Sequence, residues 1–199
     1  MAMFYLVRHG DTGVSNMISG RMSGVHLTQA GREQAQHLAD RFSDIPADAL
    51  YSSPLERALE TAHAIATVLD LPVRIAGEIT EIDYGDWTGK SFDDLSPDPR
   101  WQFFNSFRSA AQIPHGENMI QVQSRFLGWM EQVRRDDAQK RIVVVSHQDP
   151  IRAVVTYYAG LHVDMFYRFD ISHASVTVIE IENSKPRVLT LNNVRSLPR

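Results

Sequence analysis

The sequence predicts an α/β fold with a largely parallel sheet. Short apolar runs of strand length alternate along the chain with longer stretches of helical periodicity, which is the pattern of successive strand–helix units. The run RIVVVS at 141–146 is apolar at four consecutive positions, as a strand covered on both faces would be. Proline twice follows a capping-type residue just after such a run, at Ser53-Pro54 and Asp149-Pro150, and so opens a helix where a strand has ended.

Each element follows from its own pattern. Residues 3–7 read as a buried strand. Thr28 is a candidate N-cap for a helix whose apolar face holds Ala35, Leu38, Ala39 and Phe42. Residues 48–51 form a short second strand. The helix opened by Ser53-Pro54 carries Leu55, Ala58, Leu59, Ala62, Ile65, Ala66 and Leu69 on one stripe, and Pro72 marks its exit. Residues 73–75 make a third strand. Met119, Val122, Phe126, Met130 and Val133 define another amphipathic helix, and 141–146 the strong buried strand. The helix that begins at Asp149-Pro150 runs to about Gly160. Residues 176–181 and 188–191 complete the sheet at one edge.

Residues 83–117 break the pattern. Glycine, proline, aspartate and aromatic residues are mixed there with weak periodicity, and one short helix is expected at 101–107. The stretch is either a variable surface loop or a substrate lid, because long irregular excursions in a compact domain often carry function. Trp87 is expected to pack its turn. Trp101, Phe103, Phe104 and Phe107 fit core, a dimer contact or an apolar pocket wall equally well, and Arg100 and Arg108 a solvated face.

Composition narrows the function classes. The 199 residues are 43% hydrophobic and 22% charged, so disorder, collagen and coiled coil are excluded as descriptions of the whole. That length fits one domain, 1–199, which should hide about 70% of its unfolded surface. The net charge is −4, against nucleic-acid binding by a basic surface. With no cysteine there is no disulfide, thiolate metal site or cysteine nucleophile. Arg8 interrupts the first apolar run, and no run is long enough for a membrane span, so a cytoplasmic location with no membrane contact is expected.

Chemistry concentrates where strands end. The first strand runs into Arg8-His9-Gly10 and the late one into Ser146-His147. In open α/β sheets the ligand crevice lies beyond the carboxyl ends of the strands. Arg57 sits in the first turn of the helix after the second strand, and helix N-termini favour anions. Two arginines, two histidines and two helix starts converging on one volume would suit a phosphate dianion, which guanidinium forks bind bidentately. Two arginines beside His9 would repel a cation, so no metal and no cofactor is expected.

The segment LVRHGDT (residues 6–12) resembles the signature of the histidine phosphatase superfamily. The likeness continues through GRMSGVHLTQAGREQA, SSPLERALETA, EIDYGDWTG, PHGEN and VVVSHQDPIRAVV, in that order and over nearly the whole chain. The resemblance implies a three-layer α/β/α sandwich with a mostly parallel central sheet, of the phosphoglycerate-mutase-like kind. It implies that His9 is a nucleophile that becomes phosphorylated, that Arg8, Arg57 and His147 complete the phosphate pocket, and that Glu81 is the general acid. Asn16 and Arg21 fall where the family often adds phosphate or substrate contacts. His115, in PHGEN, is a further candidate contact. The chain also departs from the family's pattern. Asp11 stands where glutamate is usual, Thr88 where glutamate is common, and Gln148-Asp149 where many members have two glycines; Gln148 would narrow the pocket rim.

The implied activity is hydrolysis of a small phosphorylated metabolite through a phosphohistidine. His9 must then be neutral, with its other ring nitrogen donating to a carbonyl, while His147 is protonated. Glu81 needs a raised pKa, from burial or from a neighbouring carboxylate such as Asp83. The alternatives are a phosphoglycerate-type mutase, a phosphoprotein or phosphohistidine phosphatase, and a module that binds phosphate ligands without turnover. A homodimer is compatible with all of them.

Overall fold

The computed structural model describes residues 1–136, 140–183, 185–195 and 197. Six strands form one sheet in the order β3-β2-β4-β1-β5-β6, with β1 at Ala2–Arg8, β2 at Ala49–Ser52, β3 at Val73–Ile75, β4 at Arg141–Ser146, β5 at Val176–Glu182 and β6 at Lys185–Asn193. The pairs β1–β4, β4–β2 and β2–β3 are parallel, and β5 is antiparallel to both its neighbours. The longer helices are α1 (Gln29–Asp40), α2 (Glu56–Leu69), α5 (Met119–Asp136) and α6 (Gln148–Tyr158).

The alternation of side chains along each strand makes the three layers. Met3, Tyr5 and Val7 of β1 pack with Val143, Val145 and Leu50 against Leu38 and Ala39 of α1 and Ala58, Ala62 and Ile65 of α2. Phe4 and Leu6 face the other way, with Ile142 and Val144, against Phe126, Trp129 and Met130 of α5 and Ile151, Val154 and Val155 of α6. Both faces are therefore covered, which is why β1 and β4 read as unbroken apolar runs. No helix among the described residues is long and apolar enough to cross a membrane.

Residues 83–117 hold two short helices, α3 (Phe92–Leu95) and α4 (Pro99–Ser106). Their aromatic side chains build a third core with Ile18, Ile82, Tyr84, Leu95, Phe104 and Ile113. Trp87 is wholly buried there, its ring 5.3 Å from Trp101 and 5.5 Å from Phe104. Trp101 and Phe104 thus belong to core, whereas Phe103 and Phe107 are exposed. Arg108 departs from expectation: only 4% of it is exposed.

Two helix caps also differ from the sequence pattern. Thr28 caps α1 as expected, accepting from the Gly31 N–H at 2.9 Å. The N-cap of α2 is Leu55, not Ser53, and that of α6 is His147, not Asp149. Asp149 lies instead within the first turn of α6, and Ser53 is recruited to a side-chain network.

Candidate active site

Register brings the chemistry together. Arg8 at the end of β1 pairs with Ser146 of β4, and Ser52 of β2 pairs with Val145. His9, Ser53 and His147 each follow one of these ends, so the three parallel strands deliver them to one edge of the sheet. A cavity of about 530 Å³ opens there, lined among others by Arg8, His9, Asp11, Glu81, Tyr84, Gln148, Asp149 and His173.

His9 is 6% exposed and its Nδ1 lies 2.7 Å from the Gly10 carbonyl oxygen. A carbonyl only accepts, so Nδ1 carries the proton and Nε2 keeps its lone pair. Burial, with Arg57 and Arg8 close by, holds the ring well below the ordinary imidazole pKa, so it is neutral. The backbone is fixed at the same point: the His9 N–H donates to Ser146 O at 3.1 Å and the Gly10 N–H to Thr61 Oγ1 at 3.1 Å.

The His147 ring centroid is 5.1 Å from that of His9. Its Nε2 meets Ser53 Oγ at 2.8 Å, and Ser53 Oγ donates to Thr80 Oγ1 at 3.2 Å. Nε2 is therefore the donor, and the lone pair falls on Nδ1. Burial, His9 and three arginines hold His147 well below the usual pKa, so the expected protonated ring is neutral in this structure. A phosphate dianion brings the negative charge that would favour a second proton, on Nδ1.

The arginines are equally constrained. Arg57 is 1% exposed and its Nη2 donates to Gly20 O at 2.7 Å. Arg8 donates through Nη1 to Ile171 O at 2.7 Å and through Nη2 to His173 Nε2 at 2.7 Å. Burial lowers the Arg8 pKa to about 10, which leaves it charged at neutral pH. Arg8 Nε, Arg57 Nη1 and His147 Nδ1 are buried and have no partner among the described residues. An unpaired buried polar atom costs about 1–3 kcal/mol, more when charged; Arg8 Nε and Arg57 Nη1 are donors without an acceptor here, and His147 Nδ1 becomes a third only when its ring takes a second proton.

Glu81 follows Thr80 and faces the same cavity. One of its oxygens, Oε1, accepts from the Ile82 N–H at 2.9 Å. Burial and the charge of Asp149 raise its pKa to about 7, against the pull of Arg57 and Arg8. The neighbouring carboxylate is thus Asp149, not Asp83. Asp83 turns away, with Oδ1 accepting from the Gly85 N–H at 2.9 Å and Oδ2 lying 3.7 Å from Arg21 Nη1.

The remaining candidates separate. Gln148 lines the cavity, and with its amide turned so that the oxygen faces the two guanidinium groups it accepts from Arg8 Nη1 at 3.2 Å and from Arg152 Nη2 at 3.1 Å. Arg21 grips the far side of the acid segment, donating from Nε to Glu81 O at 2.8 Å and from Nη2 to Glu117 Oε2 at 2.8 Å. Asn16 is exposed and outside the cavity wall, although Ser15 and Met17 line it. His115 is also outside, its side chain 85% exposed and paired with Asp86 at 3.0 Å. His173 was not expected. It precedes β5, and the antiparallel sense of β5 carries the residues before it to the edge where β1 ends, as the Val7–Val176 pairing shows. Its ring lies 5.7 Å from that of His9.

The chain is similar to known proteins over nearly its whole length. The family model for the histidine phosphatase superfamily (branch 1) matches residues 4–194. Phosphoserine phosphatase 1 of Hydrogenobacter thermophilus is 33% identical over 96% of this chain and 92% of its own length. A 2,3-bisphosphoglycerate-dependent phosphoglycerate mutase of Thermoplasma acidophilum is 30% identical over 98% and 94%. The structure of a mutant phosphoserine phosphatase from Entamoeba histolytica in complex with phosphoserine superposes with a TM-score of 0.89 at 26% identity, covering 100% of both chains.

Proposed function

The chain belongs to the histidine phosphatase superfamily, and from there we propose that it hydrolyses a small phosphorylated metabolite by way of a phosphohistidine on His9. One observation carries the reading. His9 Nδ1 is tied to the Gly10 carbonyl, which leaves the Nε2 lone pair beside buried, unpaired groups of Arg8, Arg57 and His147.

The first half-reaction is an in-line attack of Nε2 on phosphorus. Arg8, Arg57 and His147 bind the three non-bridging oxygens, where negative charge sits in the transition state. The bond from phosphorus to the substrate oxygen breaks, and Glu81 gives that oxygen its proton. A pKa of about 7 suits the task, because half the molecules then carry the proton at neutral pH. In the second half-reaction the Glu81 carboxylate takes a proton from water, which attacks phosphorus and releases His9.

A mutase would share the first half. It must also seat a second anionic group while the intermediate waits. Lys90, Arg100 and Arg108 are the basic residues between Glu81 and Arg125, and none of them lines the cavity. Arg100 is paired with Asp98 at 2.7 Å, and Arg108 is buried. Hydrolysis is therefore the reading the cavity favours.

The test is a panel of phosphorylated metabolites, with phosphate release and phosphoglycerate isomerisation followed side by side. Phosphate release that falls below about 1% in His9→Ala supports the proposal, since removing a nucleophile costs several orders of magnitude in rate. Isomerisation faster than release would replace hydrolase by mutase.

A further inference from the structure

We propose that Asp149 is a positioning residue of this reaction: clamped at the cavity wall by Tyr84 and Arg108, it acts on Glu81, the acid, across the same cavity. The proposal rests on Glu81 being the acid. Asp149 follows His147 by two positions and lines the cavity.

Three features hold the Asp149 carboxyl in place. The Tyr84 hydroxyl donates to Asp149 Oδ2 at 2.5 Å. Tyr84 is buried and its pKa is pushed well above the ordinary value, so the phenol keeps its proton and acts as the donor. Arg108 Nη1 lies 3.7 Å from the same Oδ2. Its guanidinium carbon sits 4.2 Å from the Phe104 ring centroid, 4.3 Å from that of Phe166 and 4.7 Å from that of Tyr167. A cation so enclosed needs a counter-charge, and among the described residues Asp149 lies within ion-pair distance of it. Finally, Asp149 lies in the first turn of α6, where the helix dipole favours an anion.

Glu81 and Asp149 line one cavity, and two neighbouring carboxyl groups out of water do not ionise with equal ease. Asp149 has a phenol, a guanidinium and a helix N-terminus. Glu81 has the Ile82 N–H and the fields of Arg57 and Arg8, which the bound phosphate would offset. Burial and the nearby Asp149 accordingly raise the pKa of Glu81. Both clamping residues come from the 83–117 excursion, so this segment acts on the acid through charge as well as by shaping the cavity.

The alternative is a structural ion pair that only docks Arg108 onto α6. Asp149→Asn and the charge-balanced double variant Asp149→Asn/Arg108→Met separate the two. On an alkyl phosphate, the descending alkaline limb of kcat against pH should move down by about one unit in both variants, because Glu81 loses its anionic neighbour. On p-nitrophenyl phosphate, whose leaving group needs no acid, the limb should stay. A double variant that folds and regains the wild-type limb would reduce Asp149 to a structural role, as would an unmoved limb in both. Glu81→Gln serves as the reference. Equal losses on alkyl and aryl substrates in that variant would overturn the acid assignment itself, whereas a selective loss with unmoved limbs would overturn only the role of Asp149.

Discussion

Arg8 Nη2 donates to His173 Nε2 at 2.7 Å, so a third imidazole forms part of the wall around His9. Because Nε2 accepts, the proton of His173 is on Nδ1, which lies 3.7 Å from Asp11 Oδ1. Asp11 is itself fixed by the Thr28 hydroxyl at 2.9 Å. Asp11 thus reaches the site through His173 and the start of α1.

The first prediction concerns that contact. A hydrogen bond to a charged group contributes about 1.5–3 kcal/mol, and part of it is lost when Arg8 Nη2 loses its His173 acceptor. His173→Ala should lower kcat/KM by about tenfold, mostly through KM, since Arg8 binds phosphate in ground and transition states alike. His173→Asn, which restores an acceptor, should recover most of it. Equal losses in the two variants would show that the acceptor is not what matters.

Stability should fall as the solution is acidified below pH 6.5. His9, His147 and His173 are all held below the ordinary 6.5, His173 at about 4 by burial and then Arg8. The unfolded chain therefore binds protons that the folded chain refuses. Glu81 works in the opposite sense, because its folded pKa of about 7 lies above the ordinary 4.5. Three rings against one carboxyl leave the unfolded chain the net binder of protons below pH 6.5, so stability declines as the pH drops. Urea midpoints at pH 6.5 and 5 measure it, and His173→Asn should flatten the slope by about one proton. A flat profile would mean that the rings are not held neutral.

Gly31 marks the closest backbone approach behind the site. A Cβ there would lie 2.0 Å from the Asp11 carbonyl oxygen, and one on Gly10 would lie 2.5 Å from Gly31 O. Neither is a flexible side chain, so the loop after His9 must move. Gly31→Ala should cost at least about 2 kcal/mol, or about 4–8 °C in Tm for a domain of this size. An unchanged Tm would contradict the packing of α1 against residues 10–13.

The acid can be isolated by leaving group. Glu81→Gln should reduce turnover of alkyl phosphates by about 10²–10³, in the range of general acid catalysis, and that of p-nitrophenyl phosphate by less than tenfold. The ratio of the two losses is the measurement.

How much of this was legible in the sequence depends on distance along the chain. β1 and β4 announce themselves because both faces are buried, and a histidine directly after each is placed by the strand itself. Arg57 follows from the helix start after β2 in the same way. His173 was hidden because the segment before β5 has no period, and nothing local states that β5 runs antiparallel. Arg108 reads as a surface cation until Phe166 and Tyr167, some sixty positions later, close over it. Ser53 and Asp149 carry the chemistry of helix caps, yet stronger partners claim them: the His147 imidazole for one, Tyr84 and Arg108 for the other.

Covalent capture tests the nucleophile most directly. Enzyme mixed with a ³²P-labelled substrate and quenched within milliseconds should carry label that survives alkali, is lost in acid, and maps to the peptide containing residue 9. Label that is stable in acid, or that remains in His9→Ala, would contradict a phosphohistidine at the end of β1.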